Sequence, residues 1–380
     1  MTPSLAASMR RTRLLLDPSG RAKAIRNVQK AVAITMVTAA YAPLTAFNKK
    51  LAKQRKARKR AVRKSLGVAM NQLRAGQTLL PAALTGTGRE KPTPNIPEGA
   101  QYLARRYRCA AGARRYKLYL PASQPERPLG LIVMLHGCHQ SPDDFAVGTH
   151  MNQLAEKHGL AIAYPAQTRQ NNASSCWNWF RPADQARGSG EPAILAALTR
   201  KLMRELRVDR GSTFVAGLSA GGAMAAILVD EYPEIFAGAG IHSGLARGAA
   251  EGVISAMATM RGGGSGQQTI AQISDPVRRI IFQGDSDSTV HPSNAENIVT
   301  AVLGANASPT QVVSRSVRGR AYIKSTYAAS AGKGALELWV VTGAGHAWSG
   351  GRKAGSYTDR AGPDASAQMV RFFLAKPVRA

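Results

Sequence analysis

Cysteine and acidic residues are both scarce in this chain of 380 residues. Three cysteines, Cys109, Cys138 and Cys176, are too few for a disulfide scaffold and lack zinc-site spacing, so at most one intrachain bridge is available. Acid is outnumbered, with 22 Asp/Glu against 51 Lys/Arg and a formal charge of +29. The imbalance is uneven, because residues 1–76 hold 18 of the basic residues and a single acidic one, Asp17. Uninterrupted apolar runs are missing too: residues 31–47 are short for a membrane span and are broken by Pro43. There is no internal repeat. What remains is an ordinary hydrophobic content of 44%, in a chain long enough for one large α/β domain plus an appendage.

The composition divides the chain into three parts. Residues 1–80 read as a basic arm, with the run KKLAKQRKARKRAVRK at 49–64 and apolar Val62, Leu66, Met70 and Leu73 at helical steps. The arm is either a basic amphipathic helix suited to an anionic surface or a solvated, disordered extension. A basic leader before the apolar segment 31–47 resembles an export signal, but the leader is long and no clear small-residue cleavage site follows. Residues 81–99 are proline-rich and read as a linker, leaving 100–380 as the folded domain.

Within that domain, strands are predicted at 115–120, 131–135, 160–165, 212–216, 237–241, 279–282 and 336–341. Helices are predicted at 150–158, 191–206, 220–231 and 369–374. Strands alternating with helices imply a mostly parallel central sheet covered by helices on both faces.

The sharpest local signal is Gly217-Leu218-Ser219-Ala220-Gly221, in which an apolar strand turns into an Ala/Met-rich helix. In this context G-x-S-x-G is a nucleophile elbow: small neighbours let the backbone turn sharply and expose the serine hydroxyl. A serine needs a histidine to take its proton, a carboxylate to orient that histidine, and backbone N–H groups for the oxyanion. In the α/β-hydrolase order those partners follow later strands. Strand 336–341 runs into Gly343-Ala344-Gly345-His346, which makes His346 the expected base. A structural or exposed place is expected for most of the other six, His136, His139, His150, His158, His242 and His291.

Strand 279–282 runs into a loop with two carboxylates. Asp287 lies further past the strand and is the expected acid, with Asp285 bracing the turn. The same loop mimics the spacing of a calcium site, but Val290 stands where the glycine is required and a strand precedes it. The expected oxyanion donors are the N–H groups of Ala220, after the nucleophile, and Cys138, in His136-Gly137-Cys138.

Five separated motifs, LHGCHQS (135–141), SSCWNWF (174–180), GLSAGGAMA (217–225), GDSDSTVHP (284–292) and GAGHAWSGG (343–351), together resemble the poly(3-hydroxybutyrate) depolymerase family of esterases. The resemblance spans about residues 100–375 and implies an α/β-hydrolase that cleaves polyhydroxyalkanoate or short-chain esters without metal or other cofactor. Ser219, Asp287 and His346 match the family's nucleophile, acid and base. Feruloyl and acetylxylan esterases look similar in the same core, so those substrates are the alternative. A different class of reading makes the basic arm the main business, in a non-catalytic polyanion- or granule-binding protein on a hydrolase scaffold.

The resemblance also suggests that Trp177 and Trp179 line a substrate groove, the alternative being that one or both are core residues, and that a Cys138–Cys176 bridge pins the oxyanion loop to that segment. Its expected partners are an ester or polyester substrate and, for the arm, an anionic surface or polymer granule, with no specific nucleic-acid recognition. The family implies an extracellular location, while the long leader fits a cytoplasmic, granule-associated one equally well.

Overall fold

The computed structural model describes residues 92–262, 277–327 and 336–375. The basic arm, the segment at 31–47 and most of the linker lie outside the described residues. A ten-stranded sheet forms the centre, ordered β1-β2-β4-β3-β5-β6-β7-β10-β9-β8. Its middle is parallel: β4 (Leu160–Pro165), β3 (Gly130–Leu135), β5 (Thr213–Leu218), β6 (Gly238–His242), β7 (Arg278–Gly284) and β10 (Leu336–Val341). Both margins are antiparallel. On one side β1 (Gln101–Cys109) and β2 (Gly112–Leu120) are added, and on the other β9 (Arg320–Tyr327) and β8 (Gln311–Val317). The sheet is therefore more mixed than the alternation of apolar runs predicts.

The physical reason lies in burial. A central strand covered on both faces reads as a continuous apolar run, whereas a margin strand shows a weaker, half-polar alternation. In β3, Leu131, Val133 and Leu135 enter one hydrophobic cluster, while Ile132 and Met134 enter the other. The period-two alternation of a strand thus feeds two cores. One core is roofed by α3 (Gly190–Leu206), α4 (Ala220–Glu231) and α6 (Ser293–Leu303), through residues such as Leu195, Leu202, Met224 and Ile298. The other is roofed by α1 (Pro142–Thr149), α2 (Met151–His158) and α7 (Ala365–Leu374), through Phe145, Met151, Met369 and Phe373. A further helix, α5 (Val253–Met260), buries only Ala256.

This arrangement is that of an α/β-hydrolase. Its consequence for function is that the carboxyl ends of β3, β5, β7 and β10 all open on one edge, the edge where ligands bind in such sheets.

Candidate active site

The elbow is built by close packing that only glycine permits. A Cβ on Gly221 would lie 2.0 Å from the carbonyl oxygen of Leu135, and one on Gly217 would lie 2.3 Å from that of Gly221. The two motif glycines thereby let the first turn of α4 press against the end of β3. Between them Ser219 takes φ 57° and ψ −121°, a conformation that β-carbon sterics disfavour and the surrounding packing imposes. Its amide donates to the carbonyl of His242 (2.9 Å), fastening the turn to β6, and the residue is 8% exposed. Ser219 stands at the N-terminus of a twelve-residue helix, where partial positive charge favours a developing anion.

The loops after β7 and β10 are folded onto each other. A Cβ on Gly284 would strike the Ala344 carbonyl oxygen at 2.2 Å, Ser286 N donates to that same carbonyl (3.1 Å), and Asp285 N donates to Val341 O (3.2 Å). Asp285 accepts the Gly343 amide at 2.7 Å. Asp287 instead meets the imidazole: His346 Nδ1 donates to its Oδ2 at 2.7 Å. The other oxygen accepts the amides of Thr289 (2.9 Å) and Val290 (2.8 Å). Burial pushes the Asp287 carboxyl up, but the His346 bond and charge together with these two amides outweigh it and hold the group below the usual carboxylate range. It stands ionised beside a histidine whose Nε2 is left for other work.

His346 is braced from behind. Trp348 begins a short strand, β11 (Trp348–Ser349), paired with β12 (Thr358–Asp359). Its ring stacks on His242 at 5.1 Å and meets Phe145 edge-on at 5.4 Å, while its Nε1 donates to Ser366 Oγ at 3.0 Å. His242 accepts the Ser349 amide at Nε2 (3.0 Å), so one buried ring links the serine turn on β6 to the segment after His346. Burial, reinforced by repulsion from His346, lowers the His242 pKa to about 3, and it is neutral.

The loop after β3 is held with similar care. Gln140 Oε1 accepts the Gly137 amide (2.9 Å), and its Nε2 donates to Asp144 Oδ2 and Ser356 O, each at 3.0 Å. His136 donates from Nδ1 to Gly137 O (2.7 Å) and accepts the Gln167 amide at Nε2 (3.0 Å). Burial lowers its pKa to about 4. Cys138 and Cys176 are joined by a disulfide, and His139 N donates to Ser174 O at 2.9 Å. Among the described residues, the amides of Cys138 and Ala220 meet no acceptor within the protein.

The sequence leaves Trp177 and Trp179 between the wall of a groove and the core, and the packing decides for the core. Trp177 and Trp179 are 0% and 5% exposed and belong to the core, not to the wall of a groove. Asn178 between them is buried as well (3%), and the Trp177 indole N–H is satisfied by the His136 carbonyl (3.0 Å). The segment shapes the site from beneath. Its anchor is Glu191, 4% exposed, which accepts from Arg114 (2.8 Å), the Asn178 amide (2.7 Å), Asn178 Nδ2 (2.8 Å) and Gln167 Nε2. Sequence reading missed Glu191, because its partners lie 13 to 77 residues away. It missed Gln140 and His242 as supports too, although Gln140 lies within the quoted run LHGCHQS. The remaining histidines take structural roles where partners are present: His150 pairs with Asp364 at 3.0 Å and His291 with Ser293 at 2.9 Å.

With this geometry in hand, comparison with known proteins places the chain. A family model described as esterase PHB depolymerase matches residues 114–339. Poly(3-hydroxyalkanoate) depolymerase C of Paucimonas lemoignei is 31% identical over 246 residues, covering 60% of this chain and 56% of that protein. Feruloyl esterase B of Neurospora crassa is 29% identical over 143 residues, covering 37% of this chain and 48% of that protein. The chain thus spans about half the length of the curated relatives it matches. Among solved structures, an acetyl xylan esterase from Aspergillus awamori superimposes with a TM-score of 0.54 at 20% identity, covering 65% of this chain and 93% of that one, which speaks for the fold. Since the family model covers well over half of the chain, the protein belongs to the esterase PHB depolymerase family.

Proposed function

We propose that the protein is a serine carboxylic-ester hydrolase that works through an acyl-enzyme on Ser219. Ser219 Oγ attacks the ester carbonyl carbon while His346 Nε2 takes the hydroxyl proton; Asp287 steadies the imidazolium that forms. The Cys138 and Ala220 amides receive the oxyanion, aided by the N-terminus of α4. Collapse of the tetrahedral intermediate expels the alcohol, which leaves with the proton from His346. Water then attacks the acyl-enzyme under the same base, releasing the acid and restoring Ser219.

The observation that carries the proposal is the 2.7 Å bond from His346 Nδ1 to a Asp287 carboxylate kept ionised by its surroundings. The strained positive-φ turn at Ser219 and the unpaired amides of Cys138 and Ala220 support it. For the substrate, polyhydroxyalkanoate or short-chain esters are the first choice, following the names of the relatives from Paucimonas lemoignei and Ralstonia pickettii. The test is Ser219→Ala, assayed with p-nitrophenyl butyrate and with amorphous polyhydroxybutyrate, feruloyl ester and acetylated xylan. A loss of about a thousandfold or more in kcat is expected with the first, and undiminished turnover by the variant defeats the mechanism.

A further inference from the structure

At the same edge of the sheet as Ser219, a cleft of about 610 Å³ opens between the β1–β2 hairpin and the segment after β4. Four arginines line it, Arg106, Arg114, Arg115 and Arg169, with Thr168 and Asn171 beside them, and no acidic side chain lies in its lining. The volume is that of a small-molecule site. Among the described residues, Arg106, Arg115 and Arg169 have no carboxylate partner. Arg106 and Arg115 are directly opposite each other in the β1–β2 register, an arrangement of like charges that costs stability in a hairpin. Arg114, next to Arg115 along β2, turns its guanidinium to the opposite face, where it is almost fully buried against Glu191 (2.8 Å) and the Trp177 ring, so the exposed charge of the cleft comes from Arg106, Arg115 and Arg169. Repelling guanidinium groups without a carboxylate between them are relieved by a bound anion.

The cleft's position says which anion. The Ala166 amide donates to Arg115 O at 2.8 Å, so the start of β2 lies level with the carboxyl end of β4. From β2 to β5 the order is β2-β4-β3-β5, three strand spacings or about 14 Å, the reach of a short oligoester. The chain leaving the cleft at Asn171 continues to Cys176, which is bonded to Cys138 in the loop that offers the oxyanion donor. Every cut of a polyester of hydroxy acids leaves a free carboxylate at one new end. We propose that this arginine cleft binds the terminal carboxylate of a hydroxy-acid oligomer whose ester bond lies at Ser219, making the enzyme selective for short, acid-ended chains. The proposal rests on the ester-hydrolase reading above, and Arg115 and Arg169 act on binding, outside the reacting atoms. Guanidinium forks suit this task, since they meet a carboxylate with two parallel hydrogen bonds.

The test uses the full chain carrying Ser219→Ala, so that binding is read without turnover. The 3-hydroxybutyrate trimer as free acid and as methyl ester are titrated by calorimetry or by ligand-observed NMR, with and without the pair Arg115→Gln and Arg169→Gln. The acid is expected to bind at least tenfold more tightly than the methyl ester, and the double substitution is expected to abolish that difference. On the active chain the same pair should lower kcat/KM for the acid trimer about tenfold and leave p-nitrophenyl butyrate turnover unchanged. Equal binding of acid and methyl ester overturns the proposal, as does discrimination that survives the double substitution. Inorganic sulfate that binds in an arginine-dependent way while the trimers are not distinguished likewise overturns it in favour of a general anion site. Failure of the active chain to cleave p-nitrophenyl butyrate counts against the ester-hydrolase reading and is seen separately from the binding result.

Discussion

Acid should undo the site through two histidines that never touch substrate. Burial holds His136 at about 4 and His242 at about 3, whereas a free imidazole titrates at 6.5. Both are neutral in the fold, with Nε2 accepting a backbone N–H from Gln167 and Ser349 respectively. Unfolding frees them to bind a proton below pH 6.5, so in the window below that value the unfolded chain holds more protons. Stability is then fully present above about 6.5 and is lost as the pH falls toward the folded values. Each histidine approaches a slope of about 1.4 kcal/mol per pH unit below 6.5, hence about 1.5 kcal/mol between pH 6.5 and pH 5, and the two together about 3 kcal/mol. That is a large share of the 5–15 kcal/mol typical of a domain. Asp287, held below the ordinary carboxylate range, is ionised throughout this window and loses its contribution only at lower pH, so it does not confuse the measurement. Urea unfolding followed by circular dichroism at several pH values reads the slope. His136→Asn and His242→Asn will each lower overall stability, and each should reduce the slope between pH 6.5 and 5 by about one proton. Slopes equal to that of the unsubstituted chain in both variants would refute the reasoning.

Gly221→Ala places a methyl group 2.0 Å from the Leu135 carbonyl oxygen and is expected to cost about 3 kcal/mol or more and to abolish ester hydrolysis, whereas Gly345→Ala, one residue before His346 with open space around its Cβ, should change the urea midpoint by less than about 0.5 kcal/mol. The Cys138–Cys176 bridge closes a separation of 38 residues, for which chain entropy gives about 4 kcal/mol; reduction, or Cys138→Ser with Cys176→Ser, should lower stability by that order and impair turnover, with an unchanged urea midpoint as the contrary result. For the basic arm, deleting residues 1–80 should remove salt-sensitive binding to anionic vesicles while p-nitrophenyl butyrate turnover persists, and equal vesicle binding by the shortened chain would count against it.

Parts of the molecule were legible because their signals are local. The strand at 160–165, the helix at 220–231 and the strand at 336–341 are bounded as the sequence patterns predict. A doubly buried strand or a tightly packed helix needs apolar residues at nearly every position. The antiparallel strands β1, β8 and β9 escaped notice for the opposite reason: β8 alternates hardly at all, and six of its seven residues are exposed. The helix α1 escaped as well, although Ser141 caps it by accepting the Asp144 amide and Pro142 opens it.

The site divides in the same way. The elbow glycines around Ser219, the loop carboxylates Asp285 and Asp287, and the glycine before His346 are properties of short stretches, because a sharp turn constrains its own residues. What a side chain faces is decided by distant strands coming into register. Sequence alone could place two tryptophans beside the oxyanion loop; only the packed sheet turns them into the core and leaves Glu191 to hold their segment. It could count the arginines, but only the β1–β2 pairing sets Arg106 opposite Arg115, in a cleft with Arg169, where their repulsion calls for an anion. Backbone turns are encoded within a few residues, whereas burial and charge neighbourhood belong to contacts that exist only once the chain has closed.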